Sequence, residues 1–252
     1  MMILSGVLQS WQHLDEPFVY QNIHTLGYRT KHLAEHIAVL NSAAQELFRQ
    51  RLDVAPKEIE NQVYALLSSQ RLSLNVSICV ILKIYSSGEY SIENAEPSIY
   101  RGYALRGLRP EACYINQTPN VGGYASSVSL AARRMADAMA KRHNLHTAII
   151  LDSEDNVIFE PSQPLCCIIN EAIILPQHNT ESVELTLVEQ AAKKCGLQLY
   201  HQAINRELIA SADEVIVASW QGITSIGYID NQAEYFWTII TERLIEEMQK
   251  LG

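Results

Sequence analysis

No apolar run in the 252 residues approaches the roughly 20 that a helix needs to cross a bilayer, which argues against a membrane partner. Met1 to Leu14 holds no basic stretch followed by a long apolar core, so no signal peptide is expected. Positive charge is scarce. Nineteen basic residues stand against 28 acidic ones, a formal charge of −9. An acidic surface repels phosphate backbones, which argues against nucleic acid as the main partner. Gly-x-Ser-x-Gly, Gly-x-Gly-x-x-Gly and the P-loop are all missing, so ordinary serine hydrolase, dinucleotide and nucleotide-phosphate readings lose their support. Cysteines number five: Cys79, Cys113, Cys166, Cys167 and Cys195. The count is odd and no Cys-x-x-Cys pair occurs, which fits buried free thiols in a reducing cytoplasm. Cys166 and Cys167 would point to opposite faces of a strand, so they could not easily share a metal or a disulfide.

What is present is globular. Hydrophobic residues make up 48% and charged residues 19%, values that exclude a disordered chain. The length suits one large domain or two small ones. Lys31 to Arg51 has the apolar spacing of an amphipathic helix, and Pro56 opens a second. Pro17–Leu26 and Asn75–Tyr85 read as strands, the second followed by a Ser86-Ser87-Gly88 turn and a return strand from Tyr90. Glu93 to Arg109 changes character, with Pro97, Gly102 and Gly107 among scattered Arg and Tyr. A boundary near residue 102 therefore separates domains 1–102 and 103–252. In the second, a helix from Ser126 to about His143 is expected to bury Val128, Ala131, Ala132, Met135 and Met139. Strands follow at Thr147–Leu151, Val157–Glu160, Leu165–Ile169 and Ala172–Leu175. Next come a helix at Ser182–Cys195, strands at Leu197–Ala203, Glu214–Ser219 and Ser225–Ile229, and a terminal helix over Ala233–Leu251. Gln221–Thr224 reads as a turn.

His32-Leu33-Ala34-Glu35-His36 spells the inverted zinc-peptidase pattern. Histidines four residues apart share a helix face and could grip one zinc ion. A third ligand is not evident, and Leu33, Ile37 and Leu40 claim the core face. His32 and His36 are expected at its boundary, and no metal site is assigned. Zinc hydrolysis stays a minor alternative.

A longer constellation runs through both halves. Phe18 and Tyr20 in one strand precede Thr25, and a helix then reads His36-Ile37-Ala38-Val39-Leu40-Asn41-Ser42-Ala43. Later come Leu130-Ala131-Ala132-Arg133-Arg134-Met135-Ala136, the strand Ala148 to Asp152, and Val157-Ile158-Phe159-Glu160. Ala212-Asp213-Glu214-Val215 and Gly222-Ile223-Thr224 follow. In order and spacing this succession resembles the class IV aminotransferases, the fold-type IV pyridoxal-phosphate enzymes. That family includes branched-chain and D-amino acid aminotransferases and aminodeoxychorismate lyase. The resemblance implies an α/β (α+β) architecture of two domains, a small sheet-plus-helices one and a larger barrel-like one. It also implies a transferase or lyase chemistry, a homodimer, and a small molecule in the interdomain cleft. In such enzymes a lysine forms a Schiff base with pyridoxal phosphate, a carboxylate holds the pyridine nitrogen, and an arginine and backbone N–H groups hold the phosphate. By resemblance the cofactor-binding residues are Glu160, Tyr124, Gly222, Ile223 and Thr224.

The departures are equally specific. The segment Gln117-Thr118-Pro119-Asn120-Val121-Gly122-Gly123-Tyr124 contains no lysine, and Val121 or Asn120 stands where one belongs. Val39 stands at the phosphate-binding arginine. Glu184 stands at a phosphate-binding helix start, where its charge would repel the group. Leu165 replaces an Asn. Among the seven lysines Lys83 is the most interesting, since it lies in an apolar strand, although an edge lysine guarding a sheet is the plainer reading. No catalytic residue is therefore assigned. The scaffold motifs point to a divergent, non-transaminating member that binds a small molecule or a partner, a pseudoenzyme. An active transaminase or lyase with a lysine elsewhere is the alternative.

Overall fold

A computed structural model describes residues 1–12, 14–117, 123–230 and 233–251. It divides into two compact units, Met1–Gly102 with Ala125–Ser127, and Tyr103–Tyr124 with Val128–Leu251. The positions of Asn120 and Val121 lie outside the described residues. Among the described residues no helix is long and apolar enough to cross a membrane.

The first unit carries β1 (Met2–Leu4), β2 (Val7–Gln9), β3 (Phe18–Leu26), β4 (Arg29–Thr30), α1 (Leu33–Phe48), α2 (Pro56–Ser69), β5 (Ser77–Tyr85) and β6 (Tyr90–Pro97). Its strands pair antiparallel in the order β2-β1-β6-β5-β3-β4. Ile78, Val80, Leu82 and Ile84 alternate along β5 and are almost wholly buried, as period 2 requires of a strand with one face on a core. α1 lies against β3 and β5, and α2 against β1, β4 and β6. Leu40, Ala44, Ile59, Val63, Leu66 and Leu67 are the buried faces of the two helices. Each buried Leu, Ile or Val favours folding by roughly 1.5–3 kcal/mol. Pro56 takes the first position of α2, where its missing N–H loses no helical bond. The strands β1 and β2 lie in the N-terminal stretch, where no element was expected from the sequence. Lys83 is not an edge residue, because β5 sits between β3 and β6 in the sheet.

The second unit carries β7 (Ala104–Leu105), β8 (Glu111–Asn116), α3 (Ser127–Arg142), β9 (Thr147–Leu151), β10 (Leu165–Ile169), β11 (Ala172–Pro176), α4 (Val183–Lys194), β12 (Gln198–Gln202), α5 (Arg206–Ala210), β13 (Glu214–Ser219), β14 (Gly222–Ser225), β15 (Tyr228–Ile229), β16 (Ala233–Glu234) and α6 (Ile239–Leu251). One mixed sheet has the order β12-β11-β10-β13-β14-β7 and the other the order β16-β15-β8-β9. Leu165, Cys167, Ile174 and Val215 of the first sheet meet Ala112, Ile149, Leu151 and Ile229 of the second in one core. Ala136 and Ala140 of α3 cover Cys113, Ala148 and Ile150 on the other side of β8 and β9. α4 and α6 pack on each other and against the larger sheet. Cys166 and Cys167 are both buried free thiols; Cys167 enters the core between the sheets, and Cys166 pairs across to Ile216.

Several expectations are corrected here. Val157–Glu160 is not a strand. Its backbone bonds go two ways, from Val157 N to the Ile204 carbonyl at 2.7 Å and from Ile158 N to the Ile150 carbonyl at 2.8 Å. No single neighbour is left for a ladder. The face of α3 is reversed: Val128, Met135 and Met139 are 53%, 62% and 39% exposed. The helix turns its small residues inward, which lets it lie close on the strands. The last helix starts at Ile239, because the Glu214 carboxylate accepts the N–H groups of Ile240 and Thr241 at 2.8 and 2.9 Å and satisfies the first turn there. Ala233–Glu234 pairs with β15 instead. Gly222-Ile223-Thr224 is a strand and not a turn; the reversal lies at Trp220–Gln221. Gly222 adopts φ 118, and a Cβ there would lie 2.4 Å from the Ala104 carbonyl oxygen. Only glycine allows β7 to approach so closely.

Candidate functional site

A cavity of about 360 Å³ opens in the second unit, a volume suited to a small ligand. One wall is a row of side chains across the larger sheet. Leu165 pairs with Val217, and Val217 pairs with Thr224. The parallel pairing of Ile223 with Leu105, and a 2.9 Å bond from Arg106 N to the Ile223 carbonyl, bring Arg106 alongside Thr224. All four residues line the cavity. The opposite wall comes from β9 and from the irregular stretch that ends in Phe159 and Glu160. Phe159 is fixed by stacking on His178, with ring centroids 4.4 Å apart.

The charged wall is built on α3. Arg133 Nε donates to Glu160 Oε1 at 2.9 Å, and Nη2 donates to Glu160 Oε2. Nη1 donates to Asp137 Oδ1 at 3.2 Å and to the Ala148 carbonyl at 2.6 Å. Asp137 Oδ1 also accepts from the Thr147 hydroxyl at 3.0 Å. Burial works to lower the Arg133 pKa, but Glu160 and Asp137 outweigh it and hold the guanidinium charged. A bidentate arginine with two further acceptors is held by geometry as well as charge. It ties α3 to β9 and to the Glu160 segment at once.

The expected site residues divide. Glu160 and Thr224 line this cavity. Tyr124, half-buried just before α3, does not, and neither do Gly222 and the fully buried Ile223. Val39 is 9% exposed on the packed face of α1. Glu184 is wholly buried, and burial pushes its carboxyl up to about 8. It is therefore mostly protonated at neutral pH, and the expected repulsion of a phosphate is largely removed. Arg133, Asp137 and Arg106 were missed as site residues. Arg133 did carry a signal: it shares an inward helix face with Ser129, Ala136 and Ala140, where a charge requires a partner.

The zinc pattern is taken apart by packing. His36 is 2% exposed, a core residue and not a boundary one, and its Nδ1 is 2.8 Å from Gln21 Oε1. Burial, with His32 nearby, pushes its pKa down to about 3. Among the described residues no group of three or more His, Cys, Asp or Glu side chains is placed to hold a metal ion.

No protein-family model matches the sequence, and no curated protein matches it either. Solved structures do. The branched-chain amino acid aminotransferase of Escherichia coli superposes with a TM-score of 0.78 at 16% identity, over 96% of this chain and 91% of that one. That of the archaeon Thermoproteus uzoniensis, solved with norvaline, gives 0.81 at 15%, over 99% and 93%. This chain has the fold of the branched-chain aminotransferases. A Legionella pneumophila protein assigned as a 4-amino-4-deoxychorismate lyase shares that branched-chain aminotransferase fold, with a TM-score of 0.81 at 13% identity over 98% of both chains. At such identities the likeness concerns the fold alone.

Proposed function

We propose that this chain keeps the branched-chain aminotransferase fold without the covalent cofactor anchor, and binds a small molecule non-covalently in the cavity of the second unit. The lining of that cavity carries the reading. Among the described residues no lysine lines it, and both oxygens of Glu160 are already bound by Arg133. A Schiff base requires a lysine amine at the cofactor aldehyde. A pyridine nitrogen is kept protonated by a carboxylate whose charge is not already met by an arginine. The residues present do not fit pyridoxal phosphate on either count. The sequence agrees, since no lysine occurs between Gln117 and Tyr124. The reading also takes a homodimer from the sequence resemblance and a cytoplasmic location from the free cysteines.

The test is to incubate the protein with pyridoxal phosphate, record the visible spectrum, reduce with borohydride and map labelled peptides by mass spectrometry. The expected result is no Schiff-base band and only weak, diffuse labelling of surface lysines. A band with one strongly labelled lysine would overturn the reading in favour of an active transaminase or lyase.

A further inference from the structure

We propose that the first unit carries a binding site of its own, a crevice at the turn between β3 and β4 that takes a small zwitterion with an aromatic side chain. It is separate from the cavity of the second unit and does not depend on it. The crevice has a volume of about 700 Å³. The Gly27-Tyr28 turn and Arg29 line it from one side, Glu60 and Tyr64 of α2 from another. Three observations carry the inference. The first is an aromatic corner. The rings of Tyr28 and Tyr64 meet at 77°, with centroids 5.7 Å apart. Tyr28 is 9% exposed and its hydroxyl donates to the Leu72 carbonyl, so that ring is fixed, whereas Tyr64 is 60% exposed. Two rings set nearly at right angles, one of them open to solvent, suit a third ring. The second is the backbone beneath them. Gly27 and Tyr28 both have positive φ, 60 and 64. Glycine is free to adopt it, but a bulky aromatic is an outlier where such hairpin turns favour Gly or Asn. The strained residue is the one that supplies the fixed ring. The third is charge. Arg29 and Glu60 both line the crevice, and neither forms an ion pair among the described residues. A simple anion or a simple cation would meet a like charge there as well as an opposite one. A zwitterion answers both. Glu60 and Tyr64 stand four residues apart on one face of α2, so an ammonium group at Glu60 lies next to a ring. The carboxylate then faces the Arg29 guanidinium.

A free amino acid and a short peptide share this chemistry and differ in the spacing of their charges. Phenylalanine, phenylalanylglycine, phenethylamine, 3-phenylpropanoate and glycine, titrated into the full chain and followed by NMR, separate them. Exposed ion pairs are weak, so each charge is expected to count about threefold. Phenylalanine or phenylalanylglycine should bind about threefold more tightly than phenethylamine and 3-phenylpropanoate, with glycine weakest, and the tighter of the two names the charge spacing. Glu60→Gln should erase the advantage over 3-phenylpropanoate, and Arg29→Gln the advantage over phenethylamine. Tyr64→Ala should weaken every aromatic ligand. Lys57→Gln, at an exposed position of α2 outside the lining, should change nothing. All these side chains are exposed or half-buried, so the variants are expected to fold, and ratios between ligands within one variant do not depend on its stability. No binding of either zwitterion at millimolar concentration would overturn the inference. So would a singly charged ligand or glycine that binds as tightly, or an advantage that survives both charge substitutions. A ligand seated in the second unit instead would be indifferent to all three variants, which also overturns the inference and leaves the cavity reading to borohydride labelling.

Discussion

Each unit of the molecule holds an ion pair of nearly the same burial. The side chains of Lys83 and Glu93 in the first unit are 14% and 12% exposed, and those of Arg133 and Glu160 in the second are each 14% exposed. Their surroundings differ. Lys83 makes one 2.7 Å bond to Glu93 and lies 4.9 Å from the centre of the Phe18 ring, while Glu93 also accepts from the Ser91 hydroxyl at 3.0 Å. That is a point charge on a flexible stem, outside the lining of the cavity. Arg133 instead distributes its donors over two carboxylates and a carbonyl, and it does so in the wall of a cavity. Equal burial therefore does not mean equal function. A lysine pair of this kind can be spared with modest loss. The arginine fixes three segments relative to one another and so sets the shape of a binding space.

The largest test of that contrast is Arg133→Met. It leaves Glu160 and Asp137 mostly buried without their cation, a change expected to destabilise by about 3–5 kcal/mol. Adding Glu160→Leu should restore part of the loss, because an apolar pair no longer strands a charge. Urea denaturation of the single and double variants reads both effects. A single variant within about 1 kcal/mol of the parent would mean that the clamp holds nothing.

The second test uses pH, where the units carry opposite signs. In the first unit His36 is held at about 3, below its usual 6.5, chiefly by burial. Between pH 3 and 6.5 the unfolded chain binds a proton there that the folded chain does not. Stability from this group is complete above pH 6.5 and falls as pH drops, by up to about 1.4 kcal/mol per unit. In the second unit burial holds Glu184 at about 8, above its usual 4.5. The folded chain then keeps a proton that the unfolded one releases. Stability from this group is complete below pH 4.5 and is lost as pH rises toward 8, with the same limiting slope. Between pH 4.5 and 6.5 the two oppose each other. His36→Gln should leave stability falling across pH 4.5–8, whereas Glu184→Gln should leave it rising up to pH 6.5 and flat above. Denaturation midpoints at half-unit pH steps would show the two slopes. A variant whose profile matches the parent removes that residue from the account.

The same contrast explains what was legible in the sequence. In the first unit local patterns and packing agree. The period-2 run of Ile78, Val80, Leu82 and Ile84 and the period-3.6 faces of α1 and α2 need only each other, so they read directly. Lys83 was misread as an edge residue because strand order is a non-local property. In the second unit the signals conflict. Met135 and Met139 look like core on a hydrophobicity scale, yet alanines win the inward face because they permit close approach. Glu160 and Thr224 were found by resemblance to an ordered set of motifs. Arg133 was inside one of those motifs but went unassigned, since only Asp137 is local to it and its other partners lie 27 residues away at Glu160 and 15 away at Ala148. Arg106 carried no motif at all. Its place depends on a parallel pairing of β7 with β14, and no spacing within the chain announces that.

The smallest expected effect falls on the other member of the comparison. Lys83→Met removes one charge-assisted bond and one cation–aromatic contact, and it keeps most of the apolar stem volume. Glu93 retains the Ser91 hydroxyl, whose own neighbour is the Tyr85 hydroxyl at 3.1 Å, so the carboxylate is not stranded. The expected loss is about 1 kcal/mol, well below that of Arg133→Met. Denaturation under the same conditions makes the comparison direct. A loss as large as that of the arginine variant would show that the two pairs are structurally equivalent, and the special role given to Arg133 would then have to rest on ligand binding alone.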